Sequence, residues 1–304
     1  MAVMRIAVTG ASGLIGSALT ASLAADGHEV VALVRRAPRG PGEARWDPAA
    51  GTVDPAGLAG CEAVVHLAGA PVGARRWTEQ RKKLLRDSRV RGTDTIARAV
   101  AALDPAPRVL VSGSAIGFYG DTGDTAVDED GPAGEGFLAD LVQAWEAAAD
   151  PAREAGVRTV HARTGLVVAG HGGAWGPLFP LFRAGIGGRL GNGRQFWSFI
   201  SLADEVAALR YAVDTPALSG PVNLTAPEPL RNSEITAAMG RVLHRPAVLP
   251  VPGFALRAVL GEFAGDVLGS QRVRPRRLLD AGFSFAHPEI EQAIRAALPP
   301  RNRA

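Results

Sequence analysis

Three glycines near the start of the chain have the spacing of a phosphate-binding turn. Gly10, Gly13 and Gly16 follow a short apolar run and open an Ala/Leu-rich stretch. A strand, a glycine turn and a helix in this order can bind a pyrophosphate, because backbone N–H groups approach it and the helix N-terminus favours an anion. A ligand-free βα turn is the alternative. We expect a dinucleotide to bind at Thr9, Gly10, Ser12, Gly13, Leu14, Ile15 and Gly16.

The end of the next predicted strand indicates which dinucleotide would bind. Arg35 and Arg36 follow Val34, at the place where NAD-binding proteins have Asp or Glu for the ribose hydroxyls. Guanidinium groups can pair with a 2′-phosphate, whereas a carboxylate would repel it. The sequence therefore predicts NADP(H) in preference to NAD(H). The alternative is that both arginines are solvated loop residues.

The order of apolar runs predicts an α/β fold. Short β-branched runs alternate with Ala/Leu-rich stretches through the first half, which is typical of a Rossmann-like, doubly wound parallel sheet covered by helices. We expect strands at residues 5–9, 29–34, 63–67, 108–112 and 158–162, and helices at 14–25, 78–102 and 137–154.

A smaller C-terminal substrate lobe is expected after the sheet. We divide the chain into an NADP-binding Rossmann domain at residues 1–165 and a mainly substrate-side lobe at 166–304, with a helix near 201–215 returning to the first domain. A strand is expected at 221–224, and Asn232 is expected to cap a helix at 232–243. The Arg-rich region after residue 250 is expected to be helical.

Several further motifs resemble the short-chain dehydrogenase/reductase superfamily. They are the segments at 66–70, 112–120 and 163–165. A narrower resemblance is to the uncharacterised "epimerase family" branch of atypical members, which has a C-terminal domain of unknown function. This resemblance covers nearly the whole chain and implies NADP(H) binding. It rests on Trp77, Ser88-Arg89-x-x-Gly92-Thr93, Trp145-Glu146 and the segment 269–285.

The resemblance also implies roles for single residues. Leu67, Ala68 and Gly69 correspond to residues that line the cofactor, and Arg163 corresponds to a residue that passes beside the nicotinamide. Ser114 corresponds to the catalytic serine of the superfamily. Each of these assignments is an expectation from the resemblance.

The usual catalytic pair of the superfamily is missing from this sequence. That chemistry uses a Tyr as proton donor and a Lys four residues later, whose charge lowers the pKa of the phenol. The chain has two Tyr, followed four residues later by Gly and Thr, and its two Lys lie at 82 and 83. Leu138 is expected at the helix position where the superfamily has this Tyr, and Val142 where it has this Lys.

Three residues are candidates for a replacement catalytic group. Ser114 could hydrogen-bond a carbonyl or hydroxyl, and Tyr119 is expected near the mouth of the cleft, although it could be a packing residue. Arg89 stands where the family has Asn, and it could orient a ribose or a substrate anion or be a solvated helix cation. On the substrate side, Gln195 and Trp197 could face a small ligand; ordinary packing is the alternative for Trp197.

Charge and composition exclude several classes of function. A net charge of +3 does not by itself argue for nucleic acid, and the single Cys61 excludes an internal disulfide or a Cys-based zinc site. No segment is typical of a membrane span or a signal peptide, so we expect a cytoplasmic protein. No metal site is identified, and the oligomeric state is left open.

In the basic stretch 75–91, Lys82, Arg86 and Arg89 are expected to share one helix face, which could attract an anion or simply be solvated. The acidic run 121–129 is expected to be solvated, and the arginines at 272–277 to meet an anion or solvent.

The leading functional hypothesis is an atypical NADP(H)-dependent oxidoreductase, or an enzyme like a nucleoside-diphosphate-sugar epimerase. Its substrate would be a small, anionic or sugar-like molecule of unknown identity. The alternative is a catalytically silent NADP(H)-binding sensor or regulatory protein. The absent Tyr–Lys pair favours the silent protein, whereas the retained Ser114 favours the enzyme.

Overall fold

The computed structural model describes residues 3–299. Residues 1–2 and 300–304, at the outer ends of the two predicted domains, lie outside the described residues. The strands are β1 (Arg5–Thr9), β2 (Glu29–Val34), β3 (Glu43–Asp47), β4 (Thr52–Val53), β5 (Ala63–His66), β6 (Val109–Ala115), β7 (Arg158–Thr164), β8 (Leu166–Val168), β9 (Phe196–Trp197), β10 (Phe199–Ser201), β11 (Gly220–Leu224) and β12 (Leu230–Arg231). The α-helices are α1 (Leu14–Ala25), α2 (Pro55–Leu58), α3 (Glu79–Ala101), α4 (Phe137–Ala147), α5 (Asp150–Glu154), α6 (Leu178–Arg183), α7 (Leu202–Asp214), α8 (Asn232–Leu243), α9 (Gly253–Leu260), α10 (Ala264–Leu268), α11 (Arg276–Asp280) and α12 (Ile290–Ala296).

Eight strands form one sheet, and its strand order creates a crevice. The order is β11-β7-β6-β5-β1-β2-β3-β4, and neighbouring strands are parallel except for β3 and β4. The predicted Rossmann-like, doubly wound sheet is therefore confirmed. The chain winds outward in opposite directions from β1 and β5, which leaves a crevice beyond the carboxyl ends of these two strands, the usual place for a ligand in such a sheet.

Helices cover both faces of this sheet. Ile6 and Val8 of β1 pack in the cluster that includes residues of α1 and α7, whereas Ala7 packs in the opposite cluster with residues of α3 and α5. Successive side chains of a strand point to opposite faces, so a strand buried on both sides must be apolar throughout. This explains why the strands appear in the sequence as continuous apolar runs.

Two predictions of local structure are wrong. The helix expected at 137–154 is divided into α4 and α5, and Pro151 lies in the first turn of α5, where its missing N–H costs nothing. Asn232 does not cap α8, because it is already the first helical residue, and its Oδ1 accepts a hydrogen bond from the Leu190 amide at 2.8 Å. The cap residue is Arg231, whose amide donates to Glu234 Oε2 at 2.7 Å.

The remaining elements form a second lobe, while part of the second half returns to the sheet. α7 packs against α1, and β11 pairs with β7 at one edge. A separate cluster of buried apolar residues in the second half surrounds α6, α8 and α12. A division at residue 165 stays a prediction. Within the described residues, no helix has both the length and the apolar character needed to cross a bilayer.

The acidic run, which was expected to be solvated, contacts the C-terminal arginines, which were expected to meet an anion or solvent. Arg276 pairs with Asp128 at 3.0 Å, and Arg277 pairs with Asp130 at 3.2 Å. Between them Glu129 is buried and accepts hydrogen bonds from the amides of Asn223 and Arg277. These contacts attach the C-terminal segment to the loop that follows β6.

Candidate active site

The carboxyl ends of β1 and β5 are joined through Thr9. Its hydroxyl oxygen accepts hydrogen bonds from the amides of Leu67 at 3.0 Å and Ala68 at 3.2 Å, and it lies 2.8 Å from Nδ1 of His66. Burial lowers the pKa of His66 to about 4, so the imidazole is neutral at pH 7. Thr9 and His66 are both fully buried, at the carboxyl ends of the two strands that border the crevice.

The glycine turn above Thr9 has the geometry of a phosphate cradle. Gly10 has a positive φ of 68°, and a Cβ there would lie 2.9 Å from the carbonyl carbon of Leu67. A Cβ on Gly16 would lie 2.1 Å from the Gly10 oxygen, whereas a Cβ on Gly13 would meet only that oxygen, at 3.2 Å. Gly13 caps α1 without a side-chain hydrogen bond, so the first amides of the helix are open to an anion. The predicted turn residues Ser12, Leu14 and Ile15 lie here too, with Ser12 exposed and the other two half-buried.

The two arginines after β2 have different surroundings. Arg36 forms a bidentate pair with Glu43 of β3, and this pairing holds the pKa of that carboxyl at about 2. Arg35 is exposed and has no hydrogen-bond or ion-pair partner in the described part of the chain. Of the two, Arg35 is therefore the residue that can meet a phosphate without first breaking an ion pair.

A glycine-rich loop of the second half approaches the same turn. The loop, residues 170–176, follows β8, and a Cβ on Gly173 would lie 3.2 Å from Cδ2 of Leu14. Gly172 and Gly173 both have positive φ values, which side chains larger than hydrogen rarely adopt. The loop thus contacts Leu14, one of the residues predicted to form the phosphate-binding turn.

Ser114, at the end of β6, is hydrogen-bonded to a carboxylate. Its Oγ donates to Glu146 Oε1 at 2.6 Å, and Arg163 of β7 donates to the same carboxylate through Nε at 2.7 Å and Nη2 at 2.8 Å. Ser114 is only 4 % exposed. The sequence had marked Glu146 only as part of a family motif, and its position on α4, eight residues after Leu138, was the available signal.

Aliphatic groups occupy the positions expected for Tyr and Lys. A Cβ on Gly117 would lie 3.5 Å from Cβ of Leu138 and 3.9 Å from Cγ2 of Val142, so both side chains face the segment after β6. Val142 is buried, and Leu138 is half-buried. Leu138, Val142 and Glu146 lie four residues apart on one face of α4, and only the last of them is ionisable.

Tyr119 does not lie at the mouth of the cleft, so that expectation is wrong. It is 3 % exposed, its hydroxyl donates to Asn223 Oδ1 at 2.8 Å, and it accepts a hydrogen bond from Arg163 Nη1 at 2.9 Å. Burial raises the pKa of the phenol. Both hydrogen bonds are made inside the protein, so Tyr119 supports Arg163 and does not present its hydroxyl to the crevice.

Arg89 is not a solvated helix cation, because it is 9 % exposed. Its Nη1 donates to the carbonyl of Ala70 at 3.0 Å and to that of Leu85 at 3.3 Å. Its guanidinium lies 5.0 Å from the ring centroid of Trp145. Burial, together with the nearby positive charge of Arg81, lowers the pKa of Arg89 to about 10.

The predicted basic face of α3 is not a uniform surface. Arg86 is exposed, Arg89 is buried, and Lys82 pairs with Glu262 of the second lobe at 2.7 Å. Beside this ion pair, Trp77 contacts Phe263, with ring centroids 5.2 Å apart. Lys82 and Trp77 therefore hold the second lobe against the start of α3.

The predicted substrate residues Gln195 and Trp197 are both packed inside the second half. Gln195 is buried, and its Nε2 donates to the carbonyl of Leu190 at 3.1 Å. The Trp197 indole donates to the carbonyl of Val267 at 3.3 Å, and its ring lies edge-on to Trp175. For Trp197 the structure agrees with the packing alternative.

A buried carboxyl, Glu205, was not singled out from the sequence. It lies in α7, is completely buried, and accepts a hydrogen bond from Thr164 Oγ1 at 2.7 Å. Its Oε2 has no partner among the described residues. Burial raises the pKa of Glu205 to about 8, so the group is mainly protonated at pH 7.

Comparisons with known proteins identify the same architecture. Residues 6–224 match the model of the "NAD dependent epimerase/dehydratase family", and residues 251–297 match a "Domain of unknown function (DUF1731)". An "Epimerase family protein" of Mycobacterium bovis is 48 % identical over 97 % of both chains. The crystal structure of the human epimerase family protein SDR39U1 with NADPH has a TM-score of 0.88 at 35 % identity and covers 97 % of this chain and 99 % of that one. A nucleoside-diphosphate sugar epimerase from Corynebacterium glutamicum has a TM-score of 0.79 at 35 % identity, over 96 % of this chain and 57 % of that one.

Proposed function

Because this chain belongs to the NAD-dependent epimerase/dehydratase family, in the epimerase-family branch that its motifs resemble, we propose that it is an NADP(H)-dependent oxidoreductase. The membership predicted from the sequence is confirmed. The reaction itself is the proposal, and it depends on the chemistry available beside Ser114. A small molecule is the proposed substrate, and a cytoplasmic location remains part of the proposal.

Groups suited to the parts of NADP(H) follow the carboxyl ends of β1, β2 and β5. The open amides at the start of α1 would hold the pyrophosphate, and Gly13 leaves room for its approach. Arg35 would meet the 2′-phosphate, while Leu67, Ala68 and Gly69 follow β5 at the adjacent wall. When bound, the cofactor supplies or accepts a hydride at the nicotinamide. NADPH in the human relative supports this choice of cofactor.

The hydrogen bond from Ser114 to Glu146 is the observation that carries the proposed reaction. In the oxidation of an alcohol, the substrate hydroxyl gives its proton to Ser114 Oγ while the Ser114 proton passes to Glu146. The substrate carbon that carries this hydroxyl gives its hydride to the cofactor. A carbonyl therefore forms, and one proton is left on the carboxylate of Glu146. Arg163 holds Glu146 in place for this transfer. Reduction of a carbonyl reverses each step.

Single-turnover hydride transfer tests this function. The protein is loaded with NADPH or NADP⁺ and mixed with panels of aldehydes, ketones, alcohols and nucleoside-diphosphate sugars, and nicotinamide absorbance is followed. We expect a change in absorbance with at least one carbonyl or alcohol. Turnover that persists undiminished after Ser114→Ala would reject the proposed relay.

A second candidate function is a catalytically silent NADP(H)-binding sensor. The aliphatic Leu138 and Val142, at the positions of the usual acid and ammonium, favour it. Tight binding of NADPH with no hydride transfer to any member of the panel would support the sensor. Transfer with any member would exclude it.

A further inference from the structure

Arg89 is a buried cation whose charge is not neutralised by a carboxylate within residues 3–299. Its Nη1 is used by two backbone carbonyls, whereas Nε and Nη2 make no hydrogen bond within the same residues. Arg81 lies eight residues earlier on the same face of α3 and adds a second positive charge. A buried charge is costly unless something pairs with it.

The guanidinium lies at the reacting end of the crevice. A Cβ on Gly69, just after β5, would lie 3.4 Å from Arg89 Cζ, and the ring of Trp145 lies on another side of the guanidinium. The same indole lies 3.2 Å from the position of a Cβ on Gly113, the residue before Ser114. Arg89 thus lies beside the end of β5, and the Trp145 ring connects it to the end of β6.

This location separates Arg89 from the phosphates of a bound dinucleotide. The phosphate cradle follows β1, and Arg35 follows β2, on the other side of the switch point from β6. A dinucleotide that spans such a sheet places its nicotinamide half on the β5–β6 side, and the ribose there carries no charge beyond the shared pyrophosphate. An anion bound at Arg89 is therefore best supplied by a substrate.

We propose that Arg89, reinforced by Arg81, binds a carboxylate or phosphate group on the substrate. The inference rests on the proposed oxidoreductase function and specifies its substrate class as a small carbonyl compound or alcohol with an anionic group. The free Nε and Nη2 donors of Arg89 form a fork that matches two oxygens of such a group. Leu138 and Trp77 belong to one apolar cluster, so neither supplies a charge for such a group.

Calorimetric titration of simple anions tests the site without any turnover. Acetate and inorganic phosphate are titrated, at low ionic strength, into the free protein and into the protein saturated with NADP⁺. The variants are Arg89→Gln and Arg89→Lys, and the matched control is Arg86→Gln, on the exposed side of the same helix. We expect one of the anions to bind the NADP⁺-loaded protein. Arg89→Gln should lower the affinity for this anion roughly 10- to 100-fold. Arg86→Gln should leave the affinity unchanged.

The outcomes separate failure of the anion site from failure of the proposed function. Equal anion affinity in the parent protein and in Arg89→Gln would overturn the site. NADPH fluorescence measures the affinity of each variant for the cofactor. If Arg89→Gln lowers the affinity for NADPH, and NADP⁺ abolishes anion binding in the parent protein, then the cofactor supplies the anion at Arg89. The substrate assignment would then be wrong. Arg89→Lys keeps the charge, so its retained anion binding would support the site even if Arg89→Gln is poorly folded. Absence of NADPH binding in the parent protein would reject the proposed function, while titration of the free protein would still decide the anion site.

Discussion

Ser114 Oγ donates a hydrogen bond of 2.6 Å to Glu146 Oε1 at the carboxyl end of β6. Arg163 binds both oxygens of the same carboxylate, and Tyr119 accepts a hydrogen bond from Arg163. The hydroxyl of Ser114 is thus oriented by a chain of buried polar groups. This arrangement explains how a strand-end serine could transfer a proton in a protein with no Tyr–Lys pair.

Replacing Ser114 should affect the chemical step selectively. Positioned proton transfer contributes roughly 10²- to 10⁴-fold to rate, so we expect Ser114→Ala to lower single-turnover hydride transfer by about that factor. Its affinity for NADPH should change little, and Ser284→Ala at an exposed site serves as the control. A fall in affinity that accounts for the whole loss of rate would contradict the role in proton transfer.

Glu146→Gln should remove the proton acceptor and one of the two hydrogen bonds that Arg163 donates to this side chain. The amide oxygen can still accept from Ser114, so we expect hydride transfer to fall while Ser114→Ala in the same background adds little further loss. The measurement is a double-mutant cycle on the single-turnover rate. Additive losses would show that the two residues act independently.

Arg35, rather than Arg36, should determine preference for the 2′-phosphate. Charge-assisted hydrogen bonds contribute about 1.5–3 kcal/mol to binding. Arg35→Ala should therefore lower the affinity for NADPH roughly 10- to 100-fold and leave the affinity for NADH nearly unchanged. Arg36→Ala should have the smaller effect on NADPH, because Arg36 is already paired with Glu43. Nicotinamide fluorescence titrations with both cofactors measure this. Equal affinity of the parent protein for NADPH and NADH would refute the preference.

The glycine turn permits folding and cofactor binding to be separated. A Cβ on Gly13 meets only one atom, the Gly10 oxygen at 3.2 Å, so Gly13→Ala should fold but bind NADPH at least tenfold more weakly, because the methyl group occupies the path of the pyrophosphate. Gly16→Ala should instead lower the melting temperature, since its Cβ would lie 2.1 Å from backbone. Gly265→Ala, where a Cβ meets nothing within 4 Å, is the control. Undiminished NADPH binding by Gly13→Ala would mean that the turn is not the cradle.

Glu205 should make the protein less stable as the pH rises. Its pKa is about 8 in the folded chain, against an ordinary value of 4.5, so the unfolded chain ionises first. The contribution of Glu205 to the free energy of unfolding is therefore most favourable below about pH 4.5. Between about pH 4.5 and 8 it falls by up to about 1.4 kcal/mol per pH unit, and above that range it stays constant.

Glu205→Gln should remove this dependence. The amide oxygen keeps the hydrogen bond from Thr164 and cannot ionise, so the variant should gain stability over the parent protein at about pH 8 but not at about pH 4.5. Urea unfolding at both pH values measures the difference, with the exposed Glu62→Gln as control. An equal effect of Glu205→Gln at the two pH values would contradict the raised pKa.

The fold was largely predictable because its signals are local. The bounds of β1, β2 and α1 agree with the apolar runs, since each element was marked by a glycine turn or by a change of periodicity. The single helix expected at 137–154 is two helices, because Pro151 has no N–H to bond the carbonyl of Ala147 at the end of α4. No strand was expected at β3 or β4, because β3 carries three charged residues among its five and β4 has only two residues.

By itself, the sequence determined the α/β fold class, the phosphate-binding turn and the absence of a Tyr–Lys pair. These follow from the order and spacing of residues along the chain, which local conformation and simple counting reveal. Only the tertiary structure decided that Arg36 is paired whereas Arg35 is exposed, that Tyr119 is buried, and that Ser114 contacts Glu146. Burial and charge pairing depend on which distant segments meet, and residues 32 positions apart along the chain become neighbours only when α4 packs against β6.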